Sequence, residues 1–202
     1  MLTSKLLISS SLRFSKEKDA KKINIISKLD LNNVVGDKIP VVIDPGKFNK
    51  DTVVYKMPRV VQGTYSISNF GRFVKNFKPI SYEGKVLNFS LEDINTWKIF
   101  NAKKLDKILY EVEDTFDIEN FEDDIPFSPA GTNIEDDNFM LNLFALIGYF
   151  ESLQNNSYEL IISSNEEYKK SSALKLVSQK NNLNGLIDSK YFAKRYFDIV
   201  DN

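Results

Sequence analysis

The 202-residue chain is 42% hydrophobic and 12% aromatic, which is enough apolar surface for a packed core and too little length for more than one ordinary domain or two small ones. Its 27 Lys plus Arg stand against 28 Asp plus Glu, which excludes a uniformly basic nucleic-acid binder and a wholly acidic solvating chain. With no Cys and no His, it supplies no Cys/His zinc site, iron–sulfur cluster, disulfide, Cys nucleophile or Ser-His-Asp triad.

Met1 to Lys16 has Lys5, Arg13 and Lys16 as its only charges and is rich in Ser, the composition of a transit peptide. Leu2, Leu6, Leu7 and Phe14 share one side of a helix, and Leu12-Arg13-Phe14-Ser15 resembles a matrix-protease cleavage site with the cut after Phe14. The address expected is therefore the mitochondrial matrix. No segment reaches the ~20 apolar residues of a membrane span.

Residues 39–43, 52–56, 59–66 and 85–89 are short, β-branched or aromatic, and bounded by Pro, Gly and Asn, as strands are. Pro40 and Pro58 donate nothing to a ladder, which predicts edge or irregular positions. Ser90 with Asp93 is a near-match to a capping box and predicts a short helix to Trp97 or Ile99. Leu105, Ile108, Leu109, Val112 and Phe116 fall at i, +3, +4, +7 and +11, the spacing of one helical face. Phe139, Leu143, Leu146, Ile147, Phe150 and Leu153 form a broad stripe that predicts a central helix over 138–154, with further helices over 165–180 and 189–200. Residues 158–162 fit either a strand or a helical turn.

The expected fold class is thus α+β, a small strand-containing N-terminal part followed by an acidic linker and a C-terminal helical bundle. Its parts are a transit peptide over 1–14, a basic strand-and-helix region over 15–116, the linker over 117–137 and the helical region over 138–202. Charge is segregated in the same way, with a net of +10 from Met1 to Lys107 and of −11 from Leu109 to Phe139. The acidic stretch, interrupted by Pro126, Pro129 and Gly131, reads as a connector with no metal bound.

The richest basic stretch, Pro45 to Lys85, interleaves eight cations with aromatic residues around Phe70-Gly71-Arg72-Phe73. Cations on phosphates and rings on unpaired bases is how irregular RNA is held, so Arg59, Arg72, Phe73, Lys75, Phe77 and Lys78 are the candidate RNA-binding residues. No Walker A loop, G-x-G-x-x-G, G-x-S-x-G or H-E-x-x-H is present, and the remaining carboxylates to look at, Asp44 and Asp93, read as turn and helix-start residues. Neither a catalytic residue, a cofactor nor a small-molecule substrate is expected.

A matrix address over residues 1–15, a basic aromatic segment over 45–85 and an absent catalytic anchor together resemble the mitochondrion-specific ribosomal proteins of yeast-type mitoribosomes. The resemblance implies a non-enzymatic structural constituent contacting ribosomal RNA with its N-terminal half and neighbouring mitoribosomal proteins with its acidic and C-terminal parts. A non-ribosomal matrix assembly or translation-activating factor is the alternative.

Overall fold

A computed structural model describes residues 24–64, 66–116, 130–135 and 138–201. The transit peptide expected over 1–14 and most of the acidic stretch lie outside them. The described residues form thirteen strands, in chain order β1 (Asn24–Asp30), β2 (Lys38–Asp44), β3 (Thr52–Lys56), β4 (Val74–Ser81), β5 (Phe89–Asp93), β6 (Thr96–Phe100), β7 (Leu105–Glu113), β8 (Asn133–Ile134), β9 (Phe139–Met140), β10 (Tyr149–Phe150), β11 (Ser157–Ser164), β12 (Leu176–Asn181) and β13 (Ile187–Ala193). The only α-helices among the described residues are single turns, α1 (Leu143–Leu146) and α2 (Phe197–Val200).

The strands form a seven-stranded sheet in the order β12-β13-β11-β1-β2-β7-β4, a four-stranded sheet in the order β10-β3-β6-β5, and the small β8-β9 pair. All neighbours are antiparallel except β1 and β11, whose parallel pairing runs from Asn24↔Ser157 to Asp30↔Ser163. One sheet therefore draws strands from both ends of the chain. This overturns the α+β expectation with its C-terminal helical bundle: β11, β12 and β13 occupy that region, and β11 pairs directly with β1 while β13 and β12 extend the sheet beyond it.

The reason is which hydrophobic period wins. In β7, Ile108, Tyr110 and Val112 are buried while Leu109, Glu111 and Glu113 are half-exposed, an alternation of two rather than a helical stripe. The i, i+3, i+4 spacing of Leu105, Ile108 and Leu109 is helical while Ile108, Tyr110 and Val112 alternate, and pairing with β2 on one side and β4 on the other selects the strand. The predicted helix at Ser90 is instead the β5–β6 hairpin, in which Asp93 Oδ1 accepts the Asn95 N–H at 2.8 Å and closes the turn.

β2 and β3 occupy residues expected as strands. β2 is internal rather than an edge strand: its pairing with β1 stops at Leu29↔Val41, so Pro40 is flanked by one ladder only, on the β7 side. β4 is an edge strand with Pro79 in it and a bulge at Asn76-Phe77, where Asn76 takes a left-handed φ of 53°.

The two larger sheets face each other through Ile39, Val41, Ile43, Ile108, Tyr110 and Val112 on one side and Val53, Tyr55, Trp97 and Ile99 on the other. Phe77 stacks on Trp97 with ring centroids 4.8 Å apart and lies 6.2 Å from Tyr110. Aromatic pairs of this kind contribute about 0.5–1.5 kcal/mol each beyond their buried area.

Candidate functional site

Two places gather polar groups on or beside the inner face of the seven-stranded sheet. The first is a hydrogen-bond relay that crosses the core. Tyr110 donates to the Leu146 carbonyl at 2.7 Å, so its only hydrogen is used there, and its 2.9 Å bond with Tyr55 must be donated by Tyr55. Tyr55 in turn accepts the Gly148 N–H at 2.9 Å. The chain of bonds runs from Gly148 N–H through Tyr55 and Tyr110 to Leu146, and Tyr196 adds a bond to the Ile147 carbonyl at 2.6 Å.

Three tyrosines thus satisfy the backbone of residues 146–148, a segment too irregular to pair fully with a strand. Burial pushes the Tyr55, Tyr110 and Tyr196 phenols well above the ordinary tyrosine range, so all three are neutral donors. Gly148 is required by contact rather than by φ: a Cβ there would meet the Lys56 carbonyl oxygen at 2.5 Å and the Tyr55 ring at 2.7 Å. All of this is sealed from solvent and positions the segment.

The second place is a cavity of about 510 Å³ where the inner face runs past the four-stranded sheet. Leu160, Ile162 and Tyr191 share that face, because Leu160 pairs with Tyr191 and Ile162 with Ser189 across β11 and β13. Leu141 and Leu143 close one side and the strap 167–174 the other. Phe139 meets Tyr168 edge to face at 5.5 Å, which ties the strap to β9.

Lys170 on the strap donates to Ser189 Oγ at 2.8 Å, and Gln179 donates to the same oxygen at 3.0 Å. Burial pulls the Lys170 ammonium down from its ordinary range, with Asp188 opposing the shift. A serine against a lysine has the makings of a nucleophile and base, but Ser189 is fully buried and both its lone pairs face donors. The pair holds the strap to β13 and attacks nothing.

The candidate RNA-binding residues fall elsewhere and do not converge on an open platform. Phe73 is wholly buried, and Phe77 is the ring stacked on Trp97. Arg72 lies 4.9 Å over the Phe73 ring, and Lys75 pairs with Glu113 at 3.0 Å and donates to the Arg72 carbonyl. Arg59 is exposed in a loop and Lys78 on the β4 edge. The string Phe70-Gly71-Arg72-Phe73 is a 3-10 turn whose glycine lets the chain pass another backbone, since a Cβ on Gly71 would meet the Ile94 carbonyl oxygen at 2.0 Å. Asp44 closes a turn by accepting the Gly46 N–H at 2.9 Å, as its neighbours in sequence predict.

Residues 27–202 match the sequence profile of the Peptidase M61 N-terminal domain. The chain belongs to that family. No curated protein matches the chain. Among solved structures, an aminopeptidase N family protein from Idiomarina loihiensis aligns with a TM-score of 0.70 and 15% identity, over 88% of this chain and 28% of its own. An M1 zinc metallopeptidase from Deinococcus radiodurans aligns with a TM-score of 0.43 and 7% identity, over 86% of this chain and 38% of its own.

The Idiomarina likeness shows a shared fold, and this chain spans 28% of the length of that protein. Membership in a peptidase domain family corrects the functional expectations: neither a ribosomal constituent bound to ribosomal RNA and mitoribosomal neighbours nor an assembly or translation-activating factor fits it. The expectation of a protein unrelated to enzymes falls with them. Motif reading missed the family because the match is spread along 176 residues rather than held in a short catalytic signature.

Proposed function

We propose that this chain serves peptide hydrolysis as the amino-terminal β-sandwich of an M61-type peptidase. The observation that supports the reading is the match of 27–202 to that domain family, which takes in every strand from β2 to β13. A zinc ion of the kind named for the Deinococcus enzymes has no fit in these residues. The sequence has no His or Cys, and among the described residues no three carboxylates converge. Bond cleavage is then assigned to residues outside this chain, and the sandwich is assigned the work of seating them.

The surface that best suits such seating is the β5 edge. Phe89 and Leu91 alternate onto one face of this edge strand, and Ile94 stands in the turn after it; Leu91 is 59% and Ile94 47% exposed. Exposed apolar residues grouped at a sheet edge mark an interaction site more often than a free surface. A matrix address carried by Met1 to Lys16 belongs to the same proposal and rests on composition.

Immunoisolation from the source cells tests the reading. The isolate should hydrolyse peptides above a mock isolate, whether the catalytic part is covalently continuous with this chain or bound to it. An isolate that contains the chain in good yield and has no peptidase activity would refute it.

A further inference from the structure

The cavity beside β11 and β13 combines two chemistries that a packing fault would not. One part of its lining is hydrocarbon, Leu160, Ile162, Leu141, Leu143 and Leu174 with Tyr191 beside them, and the other part is polar, supplied by the strap. Its volume of about 510 Å³ falls within the roughly 300–1,000 Å³ of small-ligand sites. The leucine side of such a site suits an apolar group, and the strap side a polar one.

The charged groups on the lining are Glu167, Lys169 and Lys170, a net of one positive charge. Lys170 is the one anchored in place, through its bond to Ser189. An ammonium has three donors, and that bond uses one. Among the described residues no carboxylate lies within 4.0 Å of Lys170 Nζ, whereas Lys38, Lys56, Lys75, Lys85, Lys103, Lys107 and Lys190 each have one. A partly desolvated cation beside a group of leucines, with Asp188 acting on it from beyond ion-pair distance and with donors to spare, is complementary to an anion that carries its own apolar body.

We propose that this cavity binds the carboxylate end of an apolar chain, with the hydrocarbon against Leu160, Ile162 and Leu174 and the carboxylate on Lys170. The site is preformed: Leu174 is buried, its N–H held by Ser172 Oγ at 3.1 Å, and Phe139 braces Tyr168 from below. The same chemistry is presented by a medium-chain fatty acid and by the free C-terminus of a short peptide ending in an apolar residue. Nothing in the proposal depends on the peptidase reading.

Isothermal titration of the full chain with four probes tests it: decanoate, decanol, N-acetyl-Leu-Leu-Phe and the amide of that peptide. At least one acid should bind about tenfold or more tightly than its neutral counterpart, as a charge-assisted hydrogen bond implies. Binding of decanoate alone identifies a fatty-acid site, and binding of the peptide acid alone a C-terminus site.

Lys170→Gln, which keeps a donor toward Ser189, should bring acid affinity down to that of the neutral probe while the Tm stays within a few degrees. Failure of both acids to bind at about 1 mM, equal binding of acid and neutral forms, or an unchanged acid affinity in a folded Lys170→Gln would overturn the proposal. The wild-type acid-against-neutral comparison decides even if the variant does not fold. Peptidase activity of the native isolate is a separate readout, so either idea can fail alone.

Discussion

Tyr110→Phe removes one oxygen from the middle of the relay and leaves the ring in its place. Two buried groups then lose their partner, the Leu146 carbonyl and the Tyr55 hydroxyl hydrogen. At about 1–3 kcal/mol for each buried polar group left unsatisfied, the loss is about 3 kcal/mol. Tyr55→Phe instead strands the Gly148 N–H and removes a donor from an oxygen that tolerates its absence, so about 2 kcal/mol is expected. Because the two hydroxyls share a bond, the double variant should lose less than the sum of the singles, by about 1 kcal/mol.

Tyr158→Phe is the internal control. Its hydroxyl is buried and has no hydrogen-bond partner among the described residues, so removing it should leave stability unchanged or raise it. Urea unfolding followed by far-ultraviolet circular dichroism gives all four values, and thermal scans should show Tyr110→Phe lower by about 6–12 °C for a chain of this length. A Tyr110→Phe loss below about 0.5 kcal/mol, or a Tyr158→Phe loss as large as that of Tyr110→Phe, would refute the donor order derived for the relay.

Gly71→Ala should destabilise by about 3 kcal/mol or more and Gly148→Ala similarly, because the obstacles at each are backbone carbonyl oxygens that cannot turn aside; melting temperatures check both. Phe77→Ala should cost about 3–5 kcal/mol in urea unfolding, the range for a core aromatic, whereas an exposed stacking ring would cost less than about 0.5 kcal/mol. Tyr55, Tyr110, Tyr158 and Tyr196 all have raised phenol pKa values in the folded state, so their contribution is intact below the unfolded value near 10. Above about pH 10 the unfolded chain releases protons that the folded one keeps, and stability should fall by up to about 1.4 kcal/mol per pH unit per tyrosine. Tyrosinate absorbance at 295 nm should then rise together with unfolding, and an ordinary titration of these four in the folded chain would contradict the burial account. A reporter carrying only Met1 to Lys16 should enter the mitochondrial matrix, and a cytosolic reporter would remove that address.

Part of this architecture is legible in the sequence, and the limits have physical causes. β2 and β3 show themselves because β-branched runs are bracketed by Pro-Gly and Pro signals. β7 hides because leucines at 105 and 109 complete a helical spacing over the true alternation of Ile108, Tyr110 and Val112. The stripe from Phe139 to Leu153 looks helical because its middle, residues 143–148, is buried on every side: α1 is one turn of it, β9 and β10 are two residues each, and tyrosine hydroxyls supply the hydrogen bonds that a longer element would have made for itself. The aromatic string at 70–78 looks like a binding platform for the opposite reason, since composition cannot tell a ring facing Trp97 from one facing a base. Lys170 and Ser189 meet only because the strap folds back over β13, and no spacing rule joins them.

Whether this sandwich serves a peptidase is read most directly by one measurement: the rate of peptide hydrolysis by material isolated through the wild-type chain and through a Leu91→Lys, Ile94→Lys variant. Both substitutions are on exposed side chains, so the variant should keep its melting temperature within a few degrees. The wild-type isolate should cleave a mixed peptide library well above a mock isolate, and the folded variant should recover less than a tenth of that rate because the β5 edge no longer seats the catalytic part. A wild-type isolate with no hydrolysis above the mock would contradict the central claim.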